Sequence, residues 1–131
     1  MNIAVRYYSQ SGRTEKIAKA IAGGAGVEAV SITDEPVLTE KTDLLFLGGA
    51  PYANIMAHDL KVYAEKLTSD NVKKVVLFTT SNWSRRTVLA LKKLLKANGV
   101  AVADDSFYAQ AAKIDSRLAA AEAFGRSVSK E

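Results

Sequence analysis

Apolar residues along this chain follow two alternating rhythms. Short runs are apolar almost without interruption, and longer stretches carry apolar residues at every third or fourth position. The short runs read as strands and the longer stretches as helices. Ile3-Ala4-Val5-Arg6-Tyr7 is the first strand. From Arg13 to Ala22, Ile17, Ala18, Ile21 and Ala22 share one helical face while Lys16 and Lys19 point away. Gly23-Gly24 is expected to end that helix, because glycine accepts the left-handed cap. Val27 to Ile32 reads as a second strand, with Glu28 and Ser31 marking an exposed or edge position.

Asp43 to Gly48 carries the strongest strand signal. Leu44-Leu45-Phe46-Leu47 is apolar on both faces, as in a strand covered on both sides. A helix from Ala57 to Leu67 aligns Leu60, Tyr63, Ala64 and Leu67. Val75-Val76-Leu77-Phe78 is another fully apolar strand. A helix from Arg85 to Lys96 turns Val88, Leu91, Leu94 and Leu95 inward and Lys92, Lys93 and Lys96 outward, and Asn98-Gly99 ends it. Val100 to Ala103 resumes a strand, which Asp104-Asp105 is expected to interrupt before Ser106 to Ala109. A last helix from Ser116 to Val128 takes Asp115 as its expected N-cap. Thr33 to Thr42 is polar, has one proline and no helical period, and reads as a loop. Five strands alternating with four helices imply right-handed crossovers and a doubly wound α/β sandwich with a parallel sheet.

The chain has 131 residues, which fits one domain spanning residues 1–131. It contains no cysteine, so disulfides, iron–sulfur clusters and thiol nucleophiles are excluded, and the single histidine, His58, rules out a His-based metal cluster. No signal-like or membrane-length apolar run occurs, and a cytoplasmic protein is expected. The net charge is +4. Residues 1–70 carry 7 basic and 9 acidic side chains, whereas residues 71–131 carry 11 and 5. The basic excess therefore lies in the second half, a poor match to a general nucleic-acid binder.

In an open parallel sheet, ligands bind beyond the carboxyl ends of the strands, where the strand order reverses. Ser9-Gln10-Ser11-Gly12-Arg13-Thr14 follows the first strand and opens a helix. It combines three hydroxyls, a glycine and a guanidinium at a helix N-terminus, where free N–H groups and the dipole attract an anion. It is neither a Walker loop nor the dinucleotide-binding glycine motif. The plainer alternative is a helix cap by Ser11 or Thr14 with Glu15 favouring the dipole. Gly48-Gly49-Ala50-Pro51-Tyr52-Ala53-Asn54 follows the central strand; its glycines would allow a flat ligand to approach, or the segment is a tight turn. Thr79-Thr80-Ser81-Asn82-Trp83-Ser84-Arg85-Arg86 follows the next strand and sets the only tryptophan in a polar loop, where it either meets a ligand or anchors the loop. Together the three loops suit a ligand with a phosphate at one end and an aromatic ring at the other.

These residues resemble the flavodoxins. Ile3 to Ala18 is similar to that family's strand, hydroxyl-rich phosphate loop and first helix. Asp43 to Tyr52 and Val75 to Trp83 are similar to its central strand and two ring-contacting loops. The resemblance implies a flavodoxin-like sheet of order 2-1-3-4-5 with helices on both faces, and FMN as cofactor. Ser9, Gln10, Ser11, Gly12, Arg13 and Thr14 would hold the phosphate. Gly49, Ala50, Pro51, Tyr52, Ala53 and Asn54, with Thr80, Ser81, Asn82, Trp83 and Ser84, would line the ring, Tyr52 and Trp83 flanking it. It implies an electron carrier, a monomer or weak dimer, with a redox protein as partner. The basic second half points to an acidic docking surface on that partner, with no role for nucleic acid or membrane. The chain departs from the family in being basic and in having neither glycine nor carboxylate in Thr79 to Ser84. A small FMN-dependent NAD(P)H or quinone reductase, with Arg85 and Arg86 on a nicotinamide phosphate, and a module that has lost FMN are the alternatives. A response-regulator receiver is rejected, since Ser9-Gln10 and Gly48-Gly49 stand where it needs acids.

Overall fold

The structure, a computed structural model, describes residues 1–10, 12–52, 55–56, 58–80 and 86–130. Its elements are β1 (Ile3–Tyr8), α1 (Arg13–Ala25), β2 (Ala29–Ser31), β3 (Thr42–Gly49), β4 (Pro51–Tyr52), β5 (Ile55–Met56), α2 (His58–Glu65), β6 (Val72–Thr80), α3 (Arg86–Ala97), β7 (Ala101–Ala109) and α4 (Ile114–Ser129). The main sheet runs β2-β1-β3-β6-β7, all parallel, which is the expected 2-1-3-4-5 order once the small β4–β5 ribbon is set aside.

The strict two-residue period of the central strands fills two cores. Leu44 and Phe46 of β3 and Val76 and Phe78 of β6 face α1 and α4, meeting Ile17, Ile21, Ala121 and Val128. Leu45, Leu47, Val75 and Leu77 face the opposite way, toward Leu60, Tyr63, Leu91 and Leu95 of α2 and α3. Each fully buried leucine contributes about 1.5–3 kcal/mol, so sandwiching the strands on both faces fixes their register.

Several boundaries differ from the sequence expectation. Helix α1 does not stop at Gly23-Gly24 but continues to Ala25, and Gly26 supplies the left-handed cap at φ 78°. Gly24 is glycine because α4 crosses there. A Cβ on Gly24 would overlap the Glu122 carbonyl oxygen, and one on Gly125 would overlap that of Ile21. Asp104-Asp105 does not break the last strand. β7 runs through it, and a register shift opposite Val75 to Leu77 absorbs the extra residues. Helix α4 begins at Ile114, so Asp115 lies in its first turn rather than at its cap.

The Thr33 to Thr42 loop stands where a helix would otherwise cover β1. It inserts Leu38 into the core and reaches Glu35 over the strand, where Glu35 Oε2 lies 3.0 Å from Arg6 Nη2. Arg6 also donates to the Val5 carbonyl, and its side chain is only 14% exposed. A charge in a central strand is costly unless paired, so Glu35 is what lets β1 carry it. Arg6 Nε and the Tyr63 hydroxyl remain buried without hydrogen-bond partners.

Candidate functional site

The carboxyl ends of β1, β3 and β6 lie side by side in the sheet, with Tyr8 opposite Gly49 and Gly49 opposite Thr79. From β1 the chain first builds β2 on one side and then β3 on the other, so the strand order reverses between β1 and β3. That is the switch point at which open α/β sheets bind ligands.

The first loop is shaped by its own side chains. Ser9 Oγ accepts the Gly12 N–H at 3.0 Å, and Gln10 Nε2 donates to the Tyr8 hydroxyl at 3.2 Å. Gly12 adopts φ 87°, ψ −7°, which side-chain-bearing residues avoid, and it is the N-cap of α1. Glycine has no side chain with which to cap α1. Glu15 is a carboxylate in the first turn of α1. Its Oε1 accepts the Tyr7 hydroxyl at 3.1 Å, and its Oε2 lies 3.4 Å from Lys19 Nζ, so its charge is engaged elsewhere. Burial, reinforced by this Glu15 contact, pushes the Tyr7 phenol up to about 12, so it stays a donor at all ordinary pH values. Ser11 lies outside the described residues.

The expectation that Thr14 and Thr80 both meet a ligand acquires a structural companion. Thr14 is 1% exposed and Thr80 2%, and their hydroxyl oxygens lie 2.7 Å apart. Either can donate. When Thr80 donates, the Thr14 O–H is left for a second acceptor. The neighbouring Thr79 hydroxyl donates to the Gly49 carbonyl at 2.7 Å. Two consecutive threonines at the end of β6 thus tie this strand to the start of α1 on one face and to the end of β3 on the other. The sequence pattern sets Thr79 outside the expected site and Thr79-Thr80 in a loop, whereas both close β6. The signal that would have found it is a polar β-branched doublet closing an apolar strand.

The glycines ending β3 are required by packing. A Cβ on Gly48 would overlap the Phe78 ring and carbonyl, and one on Gly49 would lie 2.7 Å from Leu60 Cδ2. After Ala50, the backbone of Pro51 and Tyr52 pairs with Met56 and Ile55 as an antiparallel ribbon, so the second loop is a small hairpin rather than a simple turn. The expectations for Ala53 and Asn54, for Ser81, Asn82, Trp83, Ser84 and Arg85, and for the ring of Tyr52 lie outside what the structure describes.

The donor set fits a phosphate: hydroxyls of Ser9 and Thr14, a guanidinium at Arg13 and the amino end of a thirteen-residue helix, with Glu15 paired to Lys19. The chain also carries a cleft of about 330 Å³ between the loop after β2 and α2, lined by Ile32, Thr33, Pro36, His58, Val62 and Tyr63 among others. Its polar and charged members Thr33, His58, Asp59 and Lys66 are all exposed. Among the described residues no helix is long and apolar enough to cross a membrane, and no group of acids and His58 could hold a metal.

No protein-family model matches the chain, and no curated protein does. Solved structures do. A flavodoxin from the domain Archaea superposes with a TM-score of 0.84 at 20% identity, covering 99% of this chain and 97% of that one. The two-electron reduced flavodoxin of Megasphaera elsdenii gives 0.69 at 21% identity, covering 98% and 99%. The flavodiiron core of Flv1 from Synechocystis sp. PCC6803 gives 0.76 at 20% identity, with 99% of this chain matching 35% of that longer one. The chain therefore has the flavodoxin fold along its whole length.

Proposed function

We propose that this flavodoxin-fold chain is an FMN-binding electron carrier acting as one domain over residues 1–131 in the cytoplasm. The observation that carries the reading is the first loop. It is rich in hydroxyls, contains a left-handed glycine, and leads into the amino end of α1 at the switch point of the sheet. Ser9, Gln10, Ser11, Gly12, Arg13 and Thr14 would hold the phosphate. Gly49 to Asn54 and Thr80 to Ser84 would line the ring, with Tyr52 and Trp83 against it.

Bound there, FMN would supply the one-electron exchange that no side chain of this cysteine-free chain offers. The protein's own contribution is placement. Arg13 and the α1 dipole offset the phosphate charge. Thr79 and Thr80 tie the end of β6 to the end of β3 and to the start of α1 beside the proposed site. The third loop contributes no carboxylate to repel negative charge gained on reduction. The flavin potential is accordingly expected to be less negative than in a carboxylate-lined site.

The redox partner is proposed to carry an acidic docking surface, and the chain to be a monomer or weak dimer. Adding FMN to the purified protein and following flavin fluorescence tests the central reading. Quenching that saturates at one equivalent supports it, and fluorescence equal to that of free FMN refutes it. NAD(P)H consumption above that of free FMN would instead support a reductase.

A further inference from the structure

Several basic residues of this protein have acidic or aromatic company. Arg6 is held by Glu35, Lys16 by Asp115, Lys19 by Glu15, Lys73 by Asp43 and Arg126 by Glu122, and Arg117 lies 5.0 Å over the Phe107 ring. Helix α3 differs from the other α-helices in its composition. Its twelve residues, RTVLALKKLLKA, include four basic side chains and no acid. Among the described residues no ion pair engages Lys92, Lys93 or Lys96. Lys96, in the last turn, favours the helix dipole. Lys92 and Lys93 lie nearer mid-helix and gain less from it.

The same helix carries an exposed leucine. Leu91 and Leu95 are buried, but Leu89 is 64% exposed. Its helical neighbours on that face at i+4 and i+7 are the exposed Lys93 and Lys96, with the half-buried Lys92 at their flank. A lone surface leucine is ordinary. A leucine bordered by uncompensated lysines has the anatomy of a small docking patch, an apolar centre inside a charged rim. Its position is also suggestive, because α3 starts six residues after Thr80, the end of the strand that closes the candidate site. Electron-transfer encounters bury little area, often less than about 1,200 Å² in total, so one helix face with its rim suffices.

We propose that this face of α3, with Leu89 at its centre and Lys92, Lys93 and Lys96 around it, is the docking surface for an acidic electron-carrier protein. Charge complementarity selects that occupant. An unpaired row of ammonium groups beside an apolar anchor matches an apolar patch rimmed by carboxylates, and repels a basic partner or a second copy of the same face. The proposal rests on the carrier reading and adds to it the place and chemistry of docking.

The test uses an acidic [2Fe–2S] ferredoxin as the probe. The FMN-loaded chain is mixed with the reduced ferredoxin in a stopped-flow instrument, and the second-order rate constant is measured across ionic strength. The wild-type rate is expected to fall with salt. Reversing Lys92, Lys93 and Lys96 to Glu together is expected to lower the low-salt rate by at least about tenfold and to flatten the salt dependence. Reversing the exposed Lys41, Lys74 and Lys130, which makes the same change in net charge off this helix, is expected to change it less than threefold. Leu89→Ser is expected to lower the rate while leaving the salt slope intact. Equal effects of the two triple variants, or a wild-type rate that rises with salt, would overturn the proposal. If the chain takes up no FMN, the carrier reading fails first and visibly. The docking surface is then read on the apoprotein by nuclear magnetic resonance with unlabelled ferredoxin. Shift changes centred on α3 support it, and changes elsewhere or none refute it.

Discussion

Thr80→Val removes one hydroxyl and keeps the shape of the side chain. Its partner, Thr14 Oγ1, lies 2.7 Å away in a place closed to water, so the substitution strands a buried polar atom rather than merely deleting a bond. An orphaned buried hydroxyl costs about 1–3 kcal/mol, whereas replacing both partners by apolar groups of the same shape is close to neutral. Thr14→Val and Thr80→Val are therefore each expected to destabilise the apoprotein by roughly 2 kcal/mol. The double variant is expected to lie within about 1 kcal/mol of wild type, a coupling of ~3 kcal/mol or more. Urea unfolding followed by far-ultraviolet circular dichroism measures this. With a slope of about 2 kcal/mol/M, each single variant should shift the midpoint by roughly 1 M. FMN affinity should separate the two roles. The double variant regains stability but not affinity, because Thr14 no longer offers a hydroxyl to the phosphate. Additive destabilisation, or two single variants each within 0.5 kcal/mol of wild type by the same principle, would refute the idea that this pair joins α1 to β6.

Gly125→Ala sets a methyl group against the Ile21 carbonyl and is expected to cost about 1–3 kcal/mol or more in urea unfolding. Gly23→Ala, in the same pair of packed helices but facing open space, is expected to stabilise by about 0.5–1 kcal/mol. Tyr63→Phe removes a buried hydroxyl that has no hydrogen bond and is expected to change stability by less than about 1 kcal/mol at neutral pH. Burial, opposed by Arg6 and reinforced by Glu35, pushes the Tyr63 phenol up to about 12. Above pH 10 the unfolded chain loses that proton while the folded chain keeps it. Stability should therefore fall between pH 10 and 12, by about 2–3 kcal/mol from this group, and Tyr63→Phe should flatten that limb of the pH profile.

The fold was legible because its strands are decisive. Leu44 to Leu47 and Val75 to Phe78 are apolar at both parities, which only a doubly covered parallel sheet accommodates. What stayed hidden depends on partners distant in sequence. Gly23-Gly24 has the local chemistry of a helix stop, yet the helix continues because α4 presses on Gly24 from a hundred residues away. Asp104-Asp105 has turn chemistry, but an edge strand can carry two exposed acids and a bulge, and its charges discourage further pairing. Gly48 and Gly49 read as room for a ligand, and only the fold shows that Phe78 and Leu60 also require glycine there.

The candidate site divides in the same way. The first loop was readable because hydroxyls, glycine and a guanidinium at a helix start form a local pattern that needs no partner. The threonine lacing was not readable, since Thr79 and Thr80 gain meaning only from Gly49 and Thr14 across the sheet. Arg6 is similar. It appears in sequence as an interruption of an apolar strand, and only Glu35, reaching back from a loop, makes it tolerable.

The central claim is that the first loop holds the phosphate of a flavin, and comparing FMN with riboflavin tests it most directly. The two share the ring and differ by the phosphate. Charge-assisted hydrogen bonds of about 1.5–3 kcal/mol each imply that equilibrium titration should find FMN bound at least roughly 100-fold more tightly than riboflavin. Equal affinities, or no binding of either, would contradict it.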